Sequence, residues 1–192
     1  MNGAREKILN RIRDAMRTPA PRTVAPTGAP VFAPIANPEQ RFRDEFLALK
    51  GEIIESPEKL RGFLAGFSKI ATDGSDLVKQ AVGAGNAGVR EADLGVTACD
   101  CLIAQMGAIV VSPKSAGGRA LSVLPPAHLV IARRDQLLPD LATAITFIRR
   151  RYDGQWPSTL SIITGPSRTG DIEKVLVLGA HGPKRLAVFF VD

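Results

Sequence analysis

The stretch that decides the fold covers residues 160–191 and reads LSIITGPSRTGDIEKVLVLGAHGPKRLAVFFV. Apolar runs at 160–163, 175–178 and 186–191 predict three strands, and the residues after 164 predict a turn and a helix. Short, strongly apolar strands that alternate with helices are typical of a parallel sheet covered on both faces. This stretch therefore predicts an α/β fold with a mainly parallel sheet.

The same alternation continues towards the N-terminus. Further strands are predicted at 52–55, 92–96, 108–111 and 129–132, and further helices at 39–50, 56–70, 98–106 and 137–151. Three arginines, 149–151, end the last helix and suit the negative end of its dipole. Residues 70–89 lack the clear strand and helix that such a fold requires. Either the sheet is smaller there or a segment is missing from the sequence.

Two parts are predicted along the chain. Residues 1–38 form an amphipathic helix over 4–16 and a linker with six prolines, and residues 39–192 form the α/β domain. An isolated helix of this length is marginal in water. We therefore expect it to dock either on the body of the protein or on a partner.

Charge and composition exclude several classes of protein. The net charge is +6, but residues 1–22 hold six basic and two acidic residues and so carry most of it. Aromatic residues make up only 5%, which is too few for a base-stacking surface, so no nucleic-acid partner is expected. No apolar run is long enough to span a membrane, and no secretory signal is evident. The sequence thus favours the cytoplasm.

The two cysteines, Cys99 and Cys101, are too close together for an unstrained disulfide. They are also too few for a four-ligand zinc site or an iron–sulfur cluster, so no metal site is predicted. Beside a helix N-terminus they would be reactive thiols, although small buried cysteines are the more frequent case.

Three polar loops supply candidate site residues. After the strand at 160–163, a glycine turn and free helix amides suit an anion, and Arg168 adds a fork of donors. Asp171 and Glu173 would repel an anion, so they cap the helix, orient Arg168 or move protons. A plain capped turn is the alternative. The candidates in this loop are Thr164, Gly165, Ser167, Arg168, Thr169, Asp171 and Glu173.

The other two loops contribute fewer residues. Thr97 and Asp100 lie at a predicted strand–helix junction, where an aspartate also gains from the helix dipole alone. Gly118 gives flexibility, and Arg119 suits an acidic ligand. His128 and His181 are candidate general acids or bases, although a lone histidine is more often a structural residue. Gly182 accompanies His181 in a tight turn.

The three segments together resemble the lactate utilization protein C family, within the LUD domain group. The resemblance is carried by GVTACDCLIAQMGAIVV (95–111), GGRALSVLPPAHLVI (117–131) and the 164–191 part of the stretch quoted first. It implies a three-layer sandwich like that of glucosamine-phosphate deaminases, ribose-phosphate isomerases and CoA transferases. It also implies a part in oxidising L-lactate to pyruvate, beside iron–sulfur partner proteins.

One motif departs from the resemblance. Relatives usually have Glu-Thr-Gly-Thr where this chain has Gln105-Met106-Gly107-Ala108. The loss of a carboxylate and two hydroxyls weakens any acid/base role for this segment.

Two interpretations of function stay open at this point. The first is an accessory or subunit protein of L-lactate oxidation, with no cofactor predicted on this chain because no dinucleotide, flavin or cluster signature is visible. The second is an independent enzyme or binding protein for a small anionic or phosphorylated metabolite. There, Arg119 and Arg168 would hold the anion while Asp171, Glu173 or His128 moves a proton. Both expect the three loops to surround one recess.

Overall fold

A computed structural model describes residues 2–17, 33–169, 177–179 and 181–191. Contacts divide the chain into two units, Met1–Ala33 and Pro34–Asp192. The first contains helix α1, Asn2–Arg17. The second contains every other element. None of the helices in the described ranges is both long and apolar enough to cross a bilayer.

Four helices of the second unit begin at side-chain caps. They are α2 (Pro38–Ala48), α3 (Pro57–Leu64), α4 (Asp76–Val82) and α5 (Leu141–Arg151). Asn37 accepts the Gln40 amide at 3.0 Å, and Asp140 accepts the Thr143 amide at 2.7 Å. Ser56 and Ser75 cap α3 and α4 in the same way. Each cap satisfies an amide that the first helical turn leaves free. Two short 3₁₀ turns, Ala104–Met106 and Arg134–Gln136, complete the helical structure in the described residues.

A five-stranded parallel sheet, with strand order β1-β11-β6-β3-β2, forms the centre of the second unit. Its strands are β1 (Glu52–Ile54), β2 (Ile70–Thr72), β3 (Leu94–Thr97), β6 (Ala127–Arg133) and β11 (Arg185–Val191). The two longest strands, β6 and β11, pair over seven residues, with Ala127 opposite Arg185 and Arg133 opposite Val191. The predicted mainly parallel sheet is therefore confirmed.

A second, four-stranded sheet has the order β7-β4-β5-β8 and mixed directions. Its strands are β4 (Cys101–Ile103), β5 (Ala108–Val111), β7 (Leu137–Leu138) and β8 (Ser161–Ile163). Two further short strands, β9 (Arg168–Thr169) and β10 (Val177–Leu178), pair antiparallel.

Three apolar clusters stack these elements in layers. On one face of the parallel sheet, β6 and β11 pack against α3 and α4 through residues such as Leu129, Leu60 and Val78. On the other face, α2 and the second sheet cover the same two strands. Helix α5 then covers the outer face of the second sheet through Ala144 and Ile148. The α/β sandwich is thus confirmed, and the second sheet with α5 adds depth on one side.

Three local predictions are wrong. Residues 98–106 form β4 and a 3₁₀ turn instead of a helix, because Cys101, Leu102 and Ile103 are buried on both faces of a sheet. Residues 70–89, which gave no clear element, contain β2 and α4. Thr169, a candidate residue in the predicted loop before a helix, belongs to β9. The predicted helix that follows it falls outside the described residues.

Phe46 tests the packing of α2 on the central sheet. It is fully buried and stacks on Phe42 with ring centroids 5.2 Å apart. Because Phe46→Ala leaves a cavity in this core, we expect the free energy of unfolding to fall by about 3–5 kcal/mol in urea titrations. The neighbouring Leu47 is 48% exposed, so Leu47→Ala serves as the control and should change it by under about 1 kcal/mol. Equal losses in the two variants would contradict this packing.

Candidate functional site

A recess of about 500 Å³ lies where two of the predicted loops meet. One wall comes from the segment that leads into β6, and the other from the segment that leads into β11. The recess therefore lies at the amino ends of the two longest strands. Its lining residues are Val123, Leu124, Pro126, Gly179, His181, Gly182 and Lys184.

Backbone hydrogen bonds hold the two walls together. The Pro126 carbonyl accepts the Lys184 amide at 2.8 Å and the Arg185 amide at 3.3 Å. Ser167 extends the β11 wall: its amide donates to Pro183 at 2.8 Å, and its carbonyl accepts the Gly179 amide at 2.9 Å. The recess is thus built from main-chain geometry that adjoins the central strand pair.

Gly179 lets the Lys184 side chain lie along one wall. Its backbone has φ +78°, a conformation that side-chain-bearing residues rarely adopt, and a Cβ there would overlap the methylene chain of Lys184. A residue other than glycine would therefore displace the lysine as well as strain the turn.

The lining combines cationic and apolar groups. Lys184 and His181 are exposed basic side chains, whereas Val123 and Leu124, on the opposite wall, are exposed apolar side chains. An ammonium group attracts a carboxylate or phosphate, and aliphatic side chains cover a short apolar part of a ligand. This lining therefore suits a small organic anion.

His128 lies away from solvent, although the sequence placed it among the site residues. It is fully buried on β6, and its Nε2 lies 2.9 Å from the Thr97 hydroxyl on β3. Its Nδ1 is buried without a hydrogen-bond partner among the described residues. Burial lowers the pKa of His128 from 6.5 to about 4. His128 is therefore neutral near pH 7 and does not line the recess.

Asp100 forms a second polar centre, which is buried beside α5. Its carboxylate accepts the Ser115 hydroxyl at 2.7 Å and the Tyr152 hydroxyl, and Arg151 Nε lies 3.7 Å away. Burial, and then the hydrogen bond to Asp100, raise the pKa of Tyr152. Two hydroxyl donors and a nearby guanidinium compensate the charge of a carboxylate with no exposed surface. This network joins the second sheet to the end of α5, in place of the predicted first helical turn.

Cys99 and Cys101 are buried free thiols, which is the more frequent of the two cases considered from the sequence. Burial raises the pKa of the Cys99 thiol and raises that of Cys101 to about 12. Cys99 also contacts Gln136, whose side-chain amide donates to the Cys99 carbonyl at 2.8 Å. The alternative of reactive thiols at a helix N-terminus is wrong, because strand β4 follows and both thiols stay protonated.

The remaining predicted residues are spread over the surface. Arg119 is exposed in the loop after β5, next to Gly118 at φ +115°. Arg168 donates to the Leu49 carbonyl at the end of α2, beside Gly165, and Thr164 is exposed. The structure brings His181 and Gly182 to the recess, with Ser167 against Gly182, and places Arg119, Arg168 and His128 elsewhere. Asp171, Glu173 and the side chain of Thr169 lie outside what is described.

The sequence did not predict roles for three polar residues. Asp73 follows β2 and accepts the Ala98 amide at 2.7 Å and the Ser75 amide at 2.9 Å. Tyr152 completes the Asp100 network. Lys184 lines the recess. Its position directly after Gly182-Pro183 in the first quoted stretch is the sequence feature that could have predicted this. Within the described ranges, no three His, Cys, Asp or Glu side chains group to hold a metal ion.

A family model for the LUD domain matches residues 57–191, which include both walls of the recess and the Asp100 network. The chain belongs to the LUD domain family. The resemblance seen in the three motifs is thereby confirmed. The LUD match begins at the start of α3 and ends with β11, so it leaves out α1, α2 and β1.

Two curated relatives of this LUD protein are lactate utilization C proteins. A lactate utilization protein C 1 from Bacillus mycoides is 34% identical over 105 residues, which cover 54% of this chain and 45% of the relative. A lactate utilization protein C from Macrococcus caseolyticus is 34% identical over 116 residues, or 59% of this chain and 50% of the relative. The chain spans about half the length of the curated relatives that it matches.

A solved structure shares the LUD fold. The crystal structure of a DUF162 family protein from Deinococcus radiodurans superposes with a TM-score of 0.60 at 21% identity. The match covers 81% of this chain and 96% of the other, and it supports the α/β sandwich.

The buried His128 predicts an acid-sensitive fold. Because its folded pKa of about 4 lies below the unfolded value of 6.5, its contribution to stability is complete above pH 6.5 and is lost as the pH falls towards 4. The loss is about 3 kcal/mol in unfolding free energy. Urea titrations at several pH values should show a shallower pH dependence in His128→Asn.

The second histidine supplies the control for this experiment. His181 is exposed, so His181→Asn should keep the full pH dependence of the wild type between pH 6.5 and 4. An unchanged slope in His128→Asn would show that His128 is not the group responsible.

Proposed function

We propose that this protein serves L-lactate utilization as an accessory or subunit protein. It works beside iron–sulfur partner proteins that oxidise L-lactate to pyruvate, and it does so in the cytoplasm. Membership of the LUD domain family and the shared name of its relatives support the pathway. The single structural observation that carries a molecular role is the recess with Lys184 and His181 opposite an aliphatic wall.

The chemistry of the cysteines supports different roles for this chain and its partner proteins. Iron–sulfur clusters are held by thiolates, usually four, whereas this chain has two cysteines. Both are buried, and burial raises the pKa of each thiol. The proposal therefore assigns electron transfer through clusters to the partners, and ligand binding to this chain.

The lining of the recess suits lactate and pyruvate in charge and polarity. Each has one carboxylate, which Lys184 attracts, and one methyl group, which Val123 or Leu124 covers. A phosphorylated metabolite is the second candidate ligand, because the same lysine also attracts a phosphate. In that case the chain would act independently of lactate oxidation.

The first test of this role is genetic. Deletion of the gene should abolish growth on L-lactate as sole carbon source while leaving growth on pyruvate intact, and the tagged protein should co-purify with iron–sulfur proteins. The full-length chain restored in the deletion strain is the control. Normal growth of the deletion strain on L-lactate would exclude an essential role in lactate oxidation.

The second test addresses the recess itself. Calorimetric titration with L-lactate, with pyruvate and with a sugar phosphate separates the two ligand classes. Replacing the ammonium in Lys184→Gln should weaken binding of the preferred anion about tenfold or more, because a charge-assisted contact is lost. Lys79→Gln, which changes an exposed lysine on α4, is the control and should bind as the wild type does. Equal binding by both variants would move the ligand away from the recess.

A further inference from the structure

Helix α1 exposes an apolar stripe, which we define as Ile8, Ile12 and Met16. These side chains are 59%, 50% and 77% exposed. They follow one another at intervals of four residues, so they lie along one face of the helix. Three large aliphatic side chains on one helix face are unfavourable in water. The stripe is therefore a surface built for contact.

Arginines border the stripe on both sides. At about 100° per residue, Arg11 and Arg13 fall on either side of Ile12, and Arg5 falls close to the line of the stripe. Asp14 falls almost opposite and forms an ion pair with Arg17 at 3.3 Å. In the described part of the chain, no acidic side chain pairs with Arg5, Arg11 or Arg13. Glu6 falls near the line of Arg13 towards the N-terminus of the helix, so the positive charge borders the stripe chiefly around Ile12.

We propose that α1 lies in the plane of a membrane surface that carries anionic phospholipid, with the stripe facing the acyl chains. A helix in this position needs apolar residues on one face and basic residues at its borders, because the long basic side chains reach back to the headgroups. Guanidinium groups form paired hydrogen bonds with phosphate oxygens. An anionic surface contacts the basic residues on both borders at once.

Sedimentation of the full chain with phospholipid vesicles tests this proposal. We expect binding to phosphatidylcholine vesicles that contain phosphatidylserine, weak binding to phosphatidylcholine alone, and loss of binding as salt rises. Ile12→Glu and Arg13→Glu should each weaken binding about tenfold or more. Lys79→Glu makes the same charge change on α4, outside this helix, and should cost less than about threefold. Circular dichroism of each vesicle-bound variant reports whether its helix is kept.

Two outcomes would overturn the proposal. Equal losses in Arg13→Glu and Lys79→Glu would mean that only total charge matters and that the stripe has no fixed orientation. A wild-type chain that ignores the anionic vesicles, while Ile12→Glu abolishes co-purification with one partner protein, would place the stripe in a protein groove instead.

Discussion

The parallel pairing of β6 with β11 is the constraint on which the rest of this structure depends. Seven residue pairs align from Ala127–Arg185 to Arg133–Val191, and both faces of the pair are buried by helices or by the second sheet. Because the backbone groups of such strands are satisfied only within the sheet, a shift in register would unpair buried polar groups on both sides. The Pro126 carbonyl, which accepts two amides from the β11 side, fixes where this pairing begins.

The shape of the recess depends on where the pairing of β6 with β11 begins. Its two walls are the segments that enter β6 and β11, so the strand register sets the distance between Leu124 on one wall and Lys184 on the other. Ligands in open parallel sheets gather most often at the carboxyl ends of the strands. In this protein, Asp73 and the Ala98 amide lie at that edge. They form a hydrogen bond with each other, so both groups are engaged within the fold. The exposed Lys184 of the recess lies at the opposite edge.

Burial decides which polar residues take structural roles. Asp100 and His128 occupy positions that sequence reasoning assigned to a ligand, yet both side chains are withdrawn from solvent. Their partners come from distant parts of the chain: Tyr152 follows Asp100 by 52 residues, and His128 follows Thr97 by 31. Each pair joins two elements of the fold. The same motifs that mark the family therefore serve partly to hold its sheets together.

The sequence by itself determined the α/β class, most of the strands and three of the four capped helices, because strand runs such as 186–191 and caps such as Asn37 depend on local pattern and local hydrogen bonds. It failed at 98–106, where helical spacing and a doubly buried strand look alike in one dimension. Only the tertiary structure decided which polar side chains reach solvent, since Lys184 and His181 come to face Val123 and Leu124 through pairing of β6 with β11. Contacts between residues about 60 positions apart leave no periodic signal in the sequence.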